Sequence, residues 1–369
     1  MSPMGMKGVL KMLFEPKCLA TGIGSLPYTD ADSAMQLINK YFTDIPYWPQ
    51  LPLRGREEHF VNQYLRPLVT MGLLTDDGDK IFFDTTMSDW ADKLAMFYTV
   101  YLDYEEGNLS ALSEFAFSKE FASGFYAFRE EMEKGTGNAV MLKGQVVGPF
   151  TVAFQVKDER GRFAYYNDQL RDIIVKTIAM HSAWQAAELA RFGLPVMIFI
   201  DDPALGIYGQ SNYITVTREM IMDDMDAVFQ AVHRMGGLVG VHCCDAIDWS
   251  MLFDSDLEVV SFDAYNYFSS VIPFAESLAG FFERGGSLAW GLVPTTNDKA
   301  LAENEESLIT VLDGAWSELV KRGITRDTLW KHSLITPACG TGLLEVSLSD
   351  RICNLTASIS KKLRLREGC

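Results

Sequence analysis

Eight short apolar runs punctuate the chain, and most are followed by a stretch of helical periodicity. The runs fall at 18–23, 45–48, 139–147, 195–200, 237–241, 258–262, 287–290 and 333–335. Helical patterns cover 30–42, 87–104, 109–134, 163–192, 216–235, 268–284, 301–322 and 347–363, and a short helix is readable ahead of the first run. A continuous apolar run is how a strand covered on both faces reads, and strand–helix alternation specifies a parallel sheet flanked by helices. Eight such units predict an α/β chain folded as a (β/α)8 TIM barrel with an insertion after strand 2. An open, doubly wound sheet is the alternative, because alternation alone does not dictate closure. The insertion spans 56–107, where Thr75-Asp76-Asp77-Gly78-Asp79 marks a hairpin turn between 73–74 and 81–83. With no linker rich in Pro, Gly or Ser, 1–369 reads as a single catalytic domain.

The polar residues sit where such a fold places chemistry. Ser25, Asp201, His242, Cys244, Asp263 and Cys339 each fall just past the apolar part of a run. In a closed barrel those positions share one rim and meet around its axis. His242 and Cys244 are two apart, so in a strand they share a face while Cys243 points away. Neutral imidazole and thiolate are preferred zinc ligands. With Cys339 from another strand end they make a three-ligand set, leaving a fourth position for Asp263, a substrate or water. The alternative is a hydrogen-bonded core histidine among cysteines that merely pack. Paired Cys-x-x-Cys knuckles are absent from the sequence, so the set reads as catalytic and open. Two thiolates and an imidazole make zinc a weak Lewis acid for hydrolysis but a good host for a substrate thiol. Lowering that thiol's pKa yields a nucleophile suited to an activated alkyl group.

Gly22-Ile23-Gly24-Ser25-Leu26-Pro27 closes the first run. Its glycines let backbone approach a ligand, and Gly24 and Ser25 are substrate-binding candidates. Of Asp201-Asp202, one carboxylate could hold a substrate amino group or a second divalent ion. Capping the next helix explains Asp202 equally well, which leaves Asp201 as the functional candidate. Trp48, Trp290 and Tyr265 could line a pocket for a planar cofactor, though packing accounts for them as readily.

A formal charge of −17 repels phosphate backbones and argues against nucleic acid. No apolar run approaches the ~20 residues of a membrane helix, and Lys7, Lys11, Glu15 and Lys17 break any secretory signal pattern. Six cysteines in 369 residues do not form a disulfide scaffold, so a cytoplasmic protein with no membrane partner is expected. Cys18 and Cys353 read as small buried hydrophobes.

His242-Cys243-Cys244, Val260-Ser261-Phe262-Asp263 and Pro337-Ala338-Cys339-Gly340 resemble the zinc site of the cobalamin-independent methionine synthase family. Gly22 to Pro27, Gly148-Pro149-Phe150-Thr151 and Ile200-Asp201-Asp202-Pro203-Ala204 resemble other motifs of its C-terminal catalytic domain, in the same order over about 18–350. The wider group is the uroporphyrinogen decarboxylase-like barrels, which include methylcobalamin:coenzyme M methyltransferases. The resemblance implies a methyltransferase with zinc on His242, Cys244 and Cys339, and with Asp263 at a position where the synthase has glutamate. It implies Ser25 and Asp201 as contacts to the amino-acid part of a small thiol such as homocysteine. Around 50–54, where the synthase presents another acid, this sequence has no matching carboxylate. The chain has no room for the half-domain that binds methyl-folate, which favours methylcobalamin or another corrinoid, free or on a corrinoid protein, as the methyl donor. A metal-free decarboxylase of the related barrel type and a non-catalytic corrinoid- or thiol-binding protein are the competing readings.

Overall fold

A computed structural model describes residues 14–368, so the N-terminal helix expected from sequence and Cys369 fall outside the described residues. The strands are β1 (Leu19–Ala20), β2 (Leu74–Asp76), β3 (Ile81–Phe83), β4 (Leu142–Val147), β5 (Lys157–Asp158), β6 (Val196–Asp201), β7 (Leu238–Cys243), β8 (Val259–Phe262), β9 (Ser287–Val293) and β10 (Ser333–Pro337). Seven form one sheet, parallel throughout, in the order β1-β10-β9-β8-β7-β6-β4. β2 and β3 pair antiparallel about the Asp76–Lys80 turn, and β5 joins β3 in a second small sheet that the sequence did not announce.

The second expected strand, 45–48, is not a ladder strand. Its segment touches both edges of the main sheet through isolated bridges, Tyr47 to Lys143 and Gln50 to Ser25. Lys143 N donates to Pro46 O at 3.0 Å, and Gln50 N donates to Gly24 O at 3.1 Å. Pro46, Pro49 and Pro52 have no N–H to give, so a regular ladder cannot form there.

The register sorts the strand residues into two faces. Met197, Phe199, Leu238, Val259, Ala289 and Leu334 share one side and, with Leu19, Ile45 and Met141, form an apolar cluster of their own. The opposite side packs beneath the helices in the main core. Asp30 caps Ala31–Tyr41 by accepting from Ser33 N at 2.8 Å, as its position ahead of the helical pattern predicts. Asp168–Ala190 is buried along most of its length, more so than an amphipathic pattern implies.

The helix expected over 109–134 is broken into Leu109–Phe115 and Ser123–Lys134. Phe115 and Phe117 are both buried against the His181 ring, and residues two apart reach the same side only in extended chain. After the break, Gly124 meets the proline-rich segment so closely that a Cβ there would lie 1.8 Å from Pro49 O. Backbone cannot yield as a flexible side chain can. Gly124→Ala is therefore expected to lower the unfolding free energy by about 3 kcal/mol, read from urea denaturation. None of the helices among the described residues is long and apolar enough to cross a membrane.

Candidate metal centre and its polar floor

One face of the sheet changes character along its strands. Below lies the apolar cluster of Met197, Phe199, Leu238 and Leu334; toward the strand ends the same face becomes polar. Register pairs Gln145 with Phe199, Asp201 with His242, and His242 with Ser261, and Thr336 follows Leu334 by two residues. Paired residues on parallel strands point the same way, as do residues two apart. Gln145, Asp201, His242, Ser261 and Thr336 therefore line one surface from five strands.

His242 is buried, and its ring is fixed by a 2.9 Å hydrogen bond between Nδ1 and Ser261 Oγ. That leaves Nε2, which is buried with no partner. Cys244 sits just past β7. Cys339 sits just past β10, where the ladder to β9 slips by one residue between Thr336 and Pro337, a bulge of the kind that re-aims side chains at a sheet rim. One ligand atom from each of His242, Cys244 and Cys339 lies within 4.8 Å of the others. Two sulfurs on one tetrahedral zinc stand about 3.8 Å apart, so a small closure brings all three onto a single ion. The orphaned Nε2 and the two sulfurs fit zinc. Cys244 is held well below the ordinary thiol range, first by the hydrogen bond from Cys339 and then by His242, while that partnership and burial push Cys339 up. An ion bound there would displace the thiol protons that the pair retains.

Cys243 points away, as expected from its parity: it is buried, its thiol faces Asp245 O, and burial pushes its pKa up. Asp263 lies outside the three-residue group. It caps the helix Ala264–Val271, taking Asn266 N on Oδ1 at 2.9 Å and Asn266 Nδ2 on Oδ2 at 2.6 Å. With one methylene fewer than glutamate, the carboxylate turns back onto its own helix.

Ser25 is brought to the same rim. Its Oγ accepts from Gly342 N at 3.2 Å and its carbonyl from Thr341 N at 3.0 Å, so it pins the loop that follows Cys339. Gly24 is needed for closeness as much as conformation: its φ is +150°, and a Cβ would stand 3.1 Å from Gln145 Cδ. Asp201 carries a buried Oδ1 without a partner. Burial raises its pKa above the usual carboxylate range, and His242 and Lys143 oppose that rise.

Asp202 does not cap the helix that follows it. Its carboxylate reaches back to Pro149–Ala153, accepting from Phe150 N at 3.1 Å, Thr151 N at 3.0 Å and Thr151 Oγ1. Trp48 and Trp290 are fully buried core residues, tied to Gln185 and Ser333, which packing accounts for, and the hydroxyl of the half-buried Tyr265 donates to Glu303.

Two residues of the floor escaped the sequence reading. Lys143 is fully buried, with Nζ donating to Ile23 O at 2.9 Å and 4.6 Å from the Phe199 ring centroid. Burial pushes its pKa down to about 8, against the pull of Asp201. Gln145, two residues on, is 1% exposed. The available signal was polar residues at alternate positions inside an otherwise apolar run. Glu58, beyond the segment where a carboxylate was sought, is also buried, and one of its oxygens accepts from Arg54 Nε and Ser123.

Ser261 would act on a metal held by this group only through the imidazole. Ser261→Ala is expected to weaken zinc binding about 10- to 100-fold with the fold intact, measured by competition against a zinc indicator.

No family model and no curated protein matches the chain. Among solved structures it is similar to a D-tagatose 3-epimerase-like protein, at 12% identity over 67% of this chain and 88% of that one, with a TM-score of 0.38. It is also similar to a catalytic module of the pneumococcal exo-β-D-N-acetylglucosaminidase StrH, at 10% identity over 94% and 85%, TM-score 0.44. A GH113 β-mannanase from Alicyclobacillus acidocaldarius matches at 10% identity over 66% and 77%, TM-score 0.33. Likenesses this faint carry nothing about the site, whose chemistry has to be argued from its own residues.

Proposed function

We propose that the protein is a zinc-dependent methyltransferase that moves a methyl group from a methylcorrinoid to a small thiol. The observation that carries this reading is the convergence of one ligand atom each from His242, Cys244 and Cys339 within 4.8 Å, with His242 Nε2 buried and without a hydrogen-bond partner. Zinc held there would supply a lowered thiol pKa, so that the acceptor sulfur is a thiolate at neutral pH. His242, fixed by Ser261, and the two cysteines leave one coordination position for that sulfur. The acceptor sulfur attacks the methyl carbon in line, a C–S bond forms, and the electron pair of the methyl–donor bond departs with the donor. The acceptor's proton passes to solvent. Asp201, on the neighbouring strand, faces the acceptor's polar end, while Ser25 and Gly24 hold the Cys339 loop and the floor close around it.

In this reading the sheet closes into a (β/α)8 barrel through 45–50, which the bridges to Ser25 and Lys143 support. The 56–107 segment is then an insertion on the rim, and the thiol ligands suit a reducing cytoplasm.

The test incubates zinc-loaded protein with methylcobalamin and a panel of small thiols, following loss of the methylcobalamin absorbance. Thiol-dependent demethylation is expected. Binding without turnover would make the protein a carrier, and purification without stoichiometric zinc would favour a metal-free decarboxylase.

A further inference from the structure

Lys143 is fully buried on an edge strand of the main sheet, and among the described residues no carboxylate stands within ion-pair distance of it. A buried ammonium without a counter-charge is unfavourable unless polar groups receive it. Here the Phe199 and Tyr47 ring centroids lie 4.6 and 5.4 Å from Nζ, and the acceptor it reaches is Ile23 O at 2.9 Å. That carbonyl follows β1, the strand at the opposite edge of the same sheet. β1 is only two residues long, and its contact with β10 ends near the bond from Thr21 N to Ile335 O. Beyond it the chain is held from the seam: Gln50 bonds Gly24 O and Leu26 N, and Lys143 takes Ile23 O. Two residues past Ile23, Ser25 clasps the loop after Cys339. Its carbonyl accepts from Thr341 N at 3.0 Å and Thr341 Oγ1 at 3.2 Å, and its Oγ accepts from Gly342 N at 3.2 Å. The fit is close, because a Cβ on Gly340 would lie 2.2 Å from Ser25 Oγ.

We infer that Lys143 is a positioning residue for the metal group: by holding Ile23 O across the seam it fixes the Ser25 clasp, and through the clasp it sets where Cys339 stands relative to His242 and Cys244. The consequence for metal binding rests on the zinc reading, whereas the tether and the clasp stand without it. His242 is fixed by a separate contact, from Ser261 on the neighbouring strand. The group is thus supported along two independent paths, one ending on the imidazole and one on the Cys339 loop.

The test measures zinc affinity of the full-length protein by indicator competition in Lys143→Met, Ser25→Ala and Ser261→Ala, and in the doubles pairing Lys143→Met with each of the other two. Methionine fills the site and removes the donor. Lys143→Met is expected to weaken zinc binding about ten-fold, as loss of a support behind a ligand does. Combined with Ser25→Ala it should lose little more than the weaker-binding single variant, because both break one path. Combined with Ser261→Ala the two factors should multiply. Factors that multiply in both doubles, or an unchanged affinity in Lys143→Met, overturn the inference. Amide hydrogen exchange of the zinc-free protein reads the clasp without metal. In Lys143→Met the Thr341 and Gly342 amides should exchange about ten-fold faster, while Asp202 N, which donates to His242 O, stays protected. Wild-type exchange at those two amides also overturns the inference. A wild-type protein that takes up no zinc sinks the metal centre and leaves the exchange measurement in force. If Lys143→Met does not fold, Lys143→Gln, whose side chain is one atom shorter, is read in the same way.

Discussion

On the zinc-dependent methyl-transfer reading proposed above, replacing Cys339 by serine is expected to strip zinc from the protein and abolish the transfer. A serine hydroxyl is a hard, neutral donor where a polarisable thiolate stood, and it leaves only His242 and Cys244 from the chain. Loss of a partner that merely orients a ligand weakens metal binding 10- to 100-fold, so loss of a ligand should cost at least about 100-fold. The control is close at hand. Cys243→Ser makes the same change one residue from a ligand, at a thiol that faces Asp245 O in the core. It should retain stoichiometric zinc. Metal analysis of the two purified variants side by side decides the matter: zinc retained in Cys339→Ser, or lost equally from both, would remove the basis for the site.

The clustering of His242, Cys244 and Cys339 was legible because its signals are local and periodic. His242 and Cys244 obey the two-residue period of a strand, and each ligand ends an apolar run, where parallel sheets place their loops. What the sequence concealed depended on partners distant along the chain. Lys143 and Gln145 lie inside an apolar run, and nothing local says that Ile23 O and Trp48 O stand opposite them. Asp263 was expected as a possible metal ligand, yet the helix that starts at the next residue occupies its carboxylate through Asn266. The 45–48 run has strand composition, but its flanking prolines reduce it to isolated bridges. The break after Phe115 is visible only once the aromatic cluster around His181 and Trp184 shows which side both phenylalanines must reach. Periodicity reports which face a residue is on. It does not report what waits there.

Asp202 supplies the largest expected effect on stability. The carboxylate is fully buried and binds the first turn of Pro149–Ala153 through three donors, while the absence of a side chain on Gly148 makes room for it: a Cβ there would lie 2.0 Å from Asp202 Oδ2. Thr151 Oγ1 in turn accepts from Ala204 N at 3.0 Å, so this one side chain joins the loops after β4 and β6, which flank the floor of the site. Asp202→Ala leaves two buried backbone N–H groups without an acceptor and is expected to cost about 4 kcal/mol of unfolding free energy at pH 5. The cost should depend on pH in a direction the burial dictates. Desolvation outweighs the three hydrogen bonds and pushes the folded-state pKa up to about 7 from an ordinary 3.8. Between those values the folded protein holds a proton that the unfolded chain has released, so the aspartate's contribution falls as pH rises. Relative to alanine, its advantage should shrink by roughly 2 to 3 kcal/mol between pH 5 and pH 8. Urea denaturation of wild type and variant at both pH values measures the difference. A gap that stays constant from pH 5 to pH 8 would mean that the hydrogen bonds prevail over burial, and that the carboxylate is ionised throughout.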